Sequence, residues 1–276
     1  MGTTSRIRNT CLAAAVAFAL PAVSHAGERH LTKFDVRLGS LSLGQMDFNV
    51  DLDGDQYVLS GNGKTKGLAE WFAAGKADMK SNGLVKGDVV QADQHFISIT
   101  EGKKTETLDM GFTSGDVTKI ALKPEKKPKT NAKKYVLIEP QHLKGVIDPA
   151  SALVVPVGPD KANDPNAVCN RRLKIFDGVA RYDMALSYKT NSKVETKGYK
   201  GWAYVCRLKY VPVAGYKRNN ENTQRMADND GMEIWLAPIP QEGDVTAAVF
   251  TPIKIVVPTW LGTFTAEPEY FGPSKG

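Results

Sequence analysis

Residues 31–67, LTKFDVRLGSLSLGQMDFNVDLDGDQYVLSGNGKTKG, alternate apolar and polar side chains with a period of two, interrupted by short segments carrying Gly, Asn and Asp. Extended backbone sends successive side chains to opposite faces. Such a chain can therefore hide its apolar residues only in a sheet with one covered face. The pattern predicts three strands here, with turns near Gly39 to Leu43 and at Asp53-Gly54. Residues 95–123 supply three more, turning at Glu101-Gly102 and Ser114-Gly115. Further strand signals lie in CNRRLKIFDGVARYDMALSY (169–188), GWAYVCRLKYVPV (201–213), GMEIWLAPI (231–239) and TPIKIVVPTWLGTFTAEPEYF (251–271). Helical spacing is scarce. GLAEWFAAG (67–75) is long enough for two turns, and DPASALVV (148–155) offers Asp148 as N-cap with Pro149 at the first helical position. The expected class is all-β, with one or two short helices. The absence of a fixed repeat argues against a propeller or solenoid, and the polar stretches 157–166 and 215–231 are expected as mobile rims.

The first 26 residues have the form of a secretory signal peptide. Arg6 and Arg8 precede an apolar run from Cys11 to Leu20, then come Pro21 and the small residues Ser24 and Ala26. The run is short for a bilayer span. Cleavage before Gly27 leaves residues 27–276 as a single β-rich domain that does not span a membrane, in a compartment that permits disulfides. Cys11 leaves with the signal, so Cys169 and Cys206 remain. An even pair in an exported chain predicts a bridge; the alternative is two separately buried thiols. His30, His95 and His142 do not stand near either cysteine at ligand spacing, so no metal site and no cofactor are expected.

Charge excludes little. The net +6 falls to +4 without Arg6 and Arg8, too mild to suggest nucleic-acid binding. Lys123, Lys126, Lys127, Lys129, Lys133 and Lys134, broken by Pro124 and Pro128, read as a solvated loop between the two halves of the domain. The functional alternative is attraction to anionic envelope lipid.

A two-residue turn at Asp177-Gly178 would pair Phe176 with Val179, and hence Leu173 with Tyr182, Arg171 with Met184 and Cys169 with Leu186. That register puts Cys169, Leu173, Ile175, Tyr182, Met184 and Leu186 on the core face, with Arg172, Lys174, Arg181 and Asp183 on the wet one. The same test groups Trp202, Tyr204, Cys206, Leu208 and Tyr210. A Cys169–Cys206 bridge would close a loop of 36 residues, worth about 3 to 4 kcal/mol in the chain-entropy model. Arg171 is the exception on the apolar face. It either snorkels out at the sheet mouth or anchors a carboxylate or phosphate headgroup.

Motifs for chemistry fail on spacing. GNGKTKG lacks the first glycine of a phosphate loop, because Val58 occupies that position. DLDGDQ has Gly54 in the fourth place of a calcium loop and Asn62 in the twelfth. LGSLSLG is not a nucleophile elbow. A pair of carboxylates brought together by the fold would still suit a polysaccharide hydrolase.

Several segments together resemble a family of exported bacterial proteins, the domain of unknown function 3108. They include Thr65 to Leu68, Asp148 to Ala152, Phe176 to Gly178, Arg181 to Asp183 and Pro212 to Gly215. Ala150, where the family pattern has leucine, is a mild departure. The resemblance implies antiparallel strands wrapped into an open barrel or spiral, similar to periplasmic lipoprotein carriers, in a Gram-negative periplasm. It implies no reaction and no catalytic residue. The expected function is non-enzymatic binding of a lipid or acyl chain in the sheet's concavity, with Trp71, Phe72, Tyr182, Met184, Trp202, Tyr204 and Trp235 as candidate lining. The alternative is an envelope protein that contacts peptidoglycan or a protein partner without a ligand cavity.

Overall fold

In the computed structural model, which describes residues 28–65, 75–241 and 246–274, the alternating segments form strands. They are β1 (Glu28–Leu38), β2 (Leu41–Asp53), β3 (Gln56–Thr65), β4 (Gly75–Lys86), β5 (Val89–Glu101), β6 (Lys104–Thr113), β7 (Asp116–Lys123), β8 (Val155–Val157), β9 (Arg171–Phe176), β10 (Arg181–Glu195), β11 (Lys200–Ala214), β12 (Glu233–Pro238), β13 (Ala248–Thr259) and β14 (Gly262–Pro273). Among the described residues the α-helices are α1 (Pro165–Cys169) and α2 (Glu221–Ala227). Both lie in or beside the stretches expected as polar loops. The signal segment and the 67–75 helix candidate, with Trp71 and Phe72, fall outside the described residues, apart from Gly75. Among the described residues no helix is long and apolar enough to cross a membrane.

The strands make one antiparallel sheet in the order β7-β6-β5-β4-β3-β2-β1-β14-β13-β12-β11-β10-β9, with β8 added to β13. It is an open barrel: β7 and β9 end the ladder and do not pair with each other. The turns expected near Gly39, at Asp53-Gly54, at Glu101-Gly102 and at Ser114-Gly115 form, and Gly54 and Gly102 stand in them with φ of 57°, where a side chain would be strained. β4 carries little hydropathic signal because several of its inward positions are small or polar, Ala77, Ser81 and Gly83 among them.

One face wraps the chain between β7 and β9. Val146, Ala150, Val154, Val155, Val157, Val168 and Cys169 each enter an apolar cluster with sheet residues. The sheet ends meet through side chains and this segment instead of a ladder. Phe176 of β9 packs with Leu108 and Met110 of β6. Ile147 N–H donates to the Lys174 carbonyl, and Val146 N–H donates to Gly115 in the β6–β7 turn.

The hairpin differs from its predicted register. Phe176 pairs with Arg181, so four residues, 177–180, form the loop. The Asp177 carboxylate accepts the N–H groups of Val179 and Ala180, and a Cβ on Gly178 would lie 2.7 Å from Leu108. The shift is two residues, so facing is unchanged and only the partners move: Met184 opposes Leu173, and Arg171 opposes Leu186. Cys169 ends α1 instead of lying in the strand. Arg181 and Asp183, expected in water, are each 6% exposed and form an ion pair. The chain near Gly215, held by Val136, lies against Val179 and Ala180 beside them, and mutual charge makes that burial tolerable.

Candidate functional site

The inner face of β4 to β7 does not meet the inserted segment everywhere. Between them lies a cavity of about 480 Å³, floored by Met79, Ile97, Ile99, Leu108 and Leu122 and roofed by Pro149, Ala150 and Leu153. Ladder register makes the floor continuous, since Ile97 is opposite both Met79 and Leu108, and Leu108 opposite Leu122. Glu106, Lys126, Asp177 and Val179 also line it. The Lys126 ammonium is 2.7 Å from the Glu106 carboxylate, and Asp177 is occupied by its loop N–H groups. A mostly apolar hollow of this size, with few polar groups, has the character of a small-molecule site.

The roof is held by a buried polar lock. The Asp148 carboxylate accepts from Ser81 Oγ at 2.8 Å, from the Ala150 and Ser151 N–H groups at 2.9 Å, and from the Ser151 hydroxyl. His95 Nδ1 stands 3.0 Å from Asp148 and 2.7 Å from Ser81 Oγ, and Tyr57 bonds Ser151 at 2.7 Å. Burial works against ionising Asp148, but the His95 contact and the Ser151 hydrogen bonds outweigh it and hold the carboxyl below its ordinary value. Burial also pushes the Tyr57 phenol up, against its Ser151 hydrogen bond.

Ser, His and Asp here do not make a nucleophilic relay. A relay needs the serine on one ring nitrogen and the carboxylate on the other, whereas Ser81 and Asp148 share Nδ1 and Ser81 is fully buried. What the arrangement does is pin a one-turn 3-10 helix, Ser151–Leu153, across the sheet. Asp148 does accept N–H groups of the following turn, as an N-cap residue would, but the helix stops after that turn.

Sequence reasoning missed His95 and Ser81 as partners because they lie 53 and 67 residues from Asp148. Asp148 to Ala152 was the only local signal.

The described candidate residues lie elsewhere. Met184 and Tyr204 pack against the cluster around Cys169 and Cys206. Tyr182 stacks near Tyr210 at 5.2 Å between ring centroids. Trp235 donates to Glu233 and has the Lys254 ammonium 5.2 Å above its ring. Trp202 is 65% exposed, outside the core face where the alternation placed it. The large cavity is lined by none of these five residues. The disulfide forms between Cys169 and Cys206, with Cα atoms 5.4 Å apart and both residues fully buried.

Arg171 turns to the backbone, donating to the carbonyls of Val168, Pro156 and Ala167 at 2.8–3.0 Å. Burial lowers its pKa, opposed by Asp88. It also lines a separate cleft of about 290 Å³ with Asp88, Arg172 and Lys174.

Residues 33–268 match the family described as a protein of unknown function, DUF3108. A solved structure of similar fold is the beta-barrel-like protein of domain of unknown function DUF1849 from Brucella abortus. It has 11% sequence identity and a TM-score of 0.51, covering 90% of this chain and 98% of that one. No curated protein matches.

Proposed function

The chain belongs to the DUF3108 family, and we propose that it is an exported, periplasmic binding protein and not an enzyme. Its ligand is a hydrophobic or amphiphilic envelope component, a lipid or acyl chain, held inside the open barrel. The observation that carries this reading is the apolar cavity of about 480 Å³ between β4–β7 and the locked segment at 148–153. A well-packed interior of this class has few voids larger than a water molecule, so a hollow that size beside a rigidly pinned roof fits a ligand better than a packing fault. Organic extraction of the purified full chain followed by mass spectrometry should return a lipid, and the emptied protein should take up an apolar fluorophore. No extracted lipid together with no uptake would end this reading.

A second reading, an envelope interaction protein, draws on the β13–β14 hairpin tip, where Trp260 is 76% exposed and Leu261 63%. The Trp260 ring is contacted by the Arg225 guanidinium at 5.9 Å. Protein partners favour aromatic and arginine side chains at their centres. Sedimentation with isolated sacculi, or capture of an envelope protein that a W260S,L261S double variant no longer captures, would support it over the ligand reading.

A further inference from the structure

The cavity has one deeply buried polar group whose free atom is not used by the protein. His95 lines the hollow and is 3% exposed. Its Nδ1 is engaged with Ser81 and Asp148, so the opposite ring edge, carrying Nε2, is left for the cavity. Among the described residues no hydrogen bond reaches Nε2.

The lock also fixes what Nε2 can do. Asp148 accepts two N–H groups and two hydroxyls, which is the environment of an ionised carboxylate. A bare Nδ1 lone pair 3.0 Å from that carboxylate would be repelled, and the Ser81 proton is already given to Asp148. Nδ1 therefore carries the hydrogen, and in the neutral ring Nε2 is an acceptor. An acceptor among Ile97, Leu108, Met46 and Met79 favours a ligand that brings its own donor without a charge.

We propose that His95 is the recognition group of this cavity, its Nε2 accepting a hydrogen bond from a hydroxyl on a neutral, single-chain amphiphile. The assignment rests on the cavity being a ligand site. It names the ligand class: apolar body, neutral hydroxyl, no carboxylate at the His95 end.

The test uses the purified full chain and three ligands built on a twelve-carbon chain, 1-dodecanol, methyl dodecanoate and dodecane, competing with the probe N-phenyl-1-naphthylamine. The native protein should bind dodecanol about fivefold or more tightly than the methyl ester, the difference that one neutral hydrogen bond makes. His95→Asn keeps an amide N–H near the place of Nδ1 but has no counterpart of Nε2. It should stay folded by circular dichroism and bind alcohol and ester alike. If the variant does not fold, the native alcohol-to-ester ratio decides alone, and a ratio near one overturns the assignment. Equal displacement by all three ligands would remove the role of His95 but leave the cavity reading standing. Displacement by none would remove both.

Discussion

On β10 to β13 the covered face is filled. Val168 and Cys169 of α1, with Val155 and Val157 of β8, pack onto Leu186, Cys206, Leu236 and Phe250, and the disulfide ties α1 to β11. On β4 to β7 the corresponding face keeps a cavity of about 480 Å³ under a 3-10 turn held by Asp148, Ser81 and His95. Both regions belong to one sheet and follow the same alternation. They differ in what the inserted segment lays on them: a helix fastened covalently in one case, a turn fastened by polar bonds in the other. Hydrogen bonds fix a roof at a distance without filling the space beneath it, which side-chain packing cannot do.

That contrast can be broken from either side. The largest expected effect is Asp148→Ala, which strands Ser81, His95, Ser151 and two backbone N–H groups in the interior. It should cost about 3–5 kcal/mol by urea unfolding and raise hydrogen exchange in residues 148–153 more than in α1. A uniform rise across both regions would mean that the lock does not act locally. Removing the bridge with a Cys169→Ala,Cys206→Ala double variant should cost about 2–5 kcal/mol, with exchange rising around α1 and probe uptake by the cavity retained. Loss of uptake would show that the two regions are not independent.

Acid should sharpen the comparison. Burial lowers the His30 pKa from 6.5 to about 4, and its Nε2 is buried without a partner. Below pH 6.5 the unfolded chain takes a proton that the native ring refuses. Stability should therefore fall between pH 6.5 and about 4, by roughly 3 kcal/mol. Asp148 has the depressed carboxylate's sign: its contribution is present above the unfolded value near 3.8 and is lost as pH falls through its lower native value. His30→Phe, beside Phe271 at 4.1 Å, should flatten the first window and leave the second. An unchanged slope between pH 6.5 and 4 would show that another group carries it. The smallest effect is expected for Trp260→Ser at the exposed hairpin tip, within about 0.5 kcal/mol by thermal unfolding. A larger loss would mean that the tip supports the fold and is not a free surface.

Much of this was legible in the chain. Period-two alternation located most strands, and Gly54 and Gly102 marked turns because those positions take positive φ. The bridge was expected because Cys169 and Cys206 are the only two cysteines beyond the first 26 residues. β4 was silent because Ala77, Ser81 and Gly83 alternate with polar residues in size more than in hydropathy. Parity survived the two-residue error in the β9–β10 register, which is why facing along β9 was right while the pairing was wrong. Alternation puts Arg181 and Asp183 in water because local pattern cannot see a distant segment that covers them.

Alternation along the chain requires a sheet with one greasy face, a property of neighbouring residues that the geometry of extended backbone sets. The expectation that Cys169 and Cys206 would meet came instead from their number, since only these two cysteines lie beyond the first 26 residues. Where the sheet is filled and where it is hollow was decided only in three dimensions. His95, Ser81 and Asp148 come from two strands and an inserted turn, and their convergence depends on how residues 146–169 thread the wrapped sheet. No window along the chain contains that path, because burial and hydrogen-bond partnership are set by contacts between segments far apart in the chain.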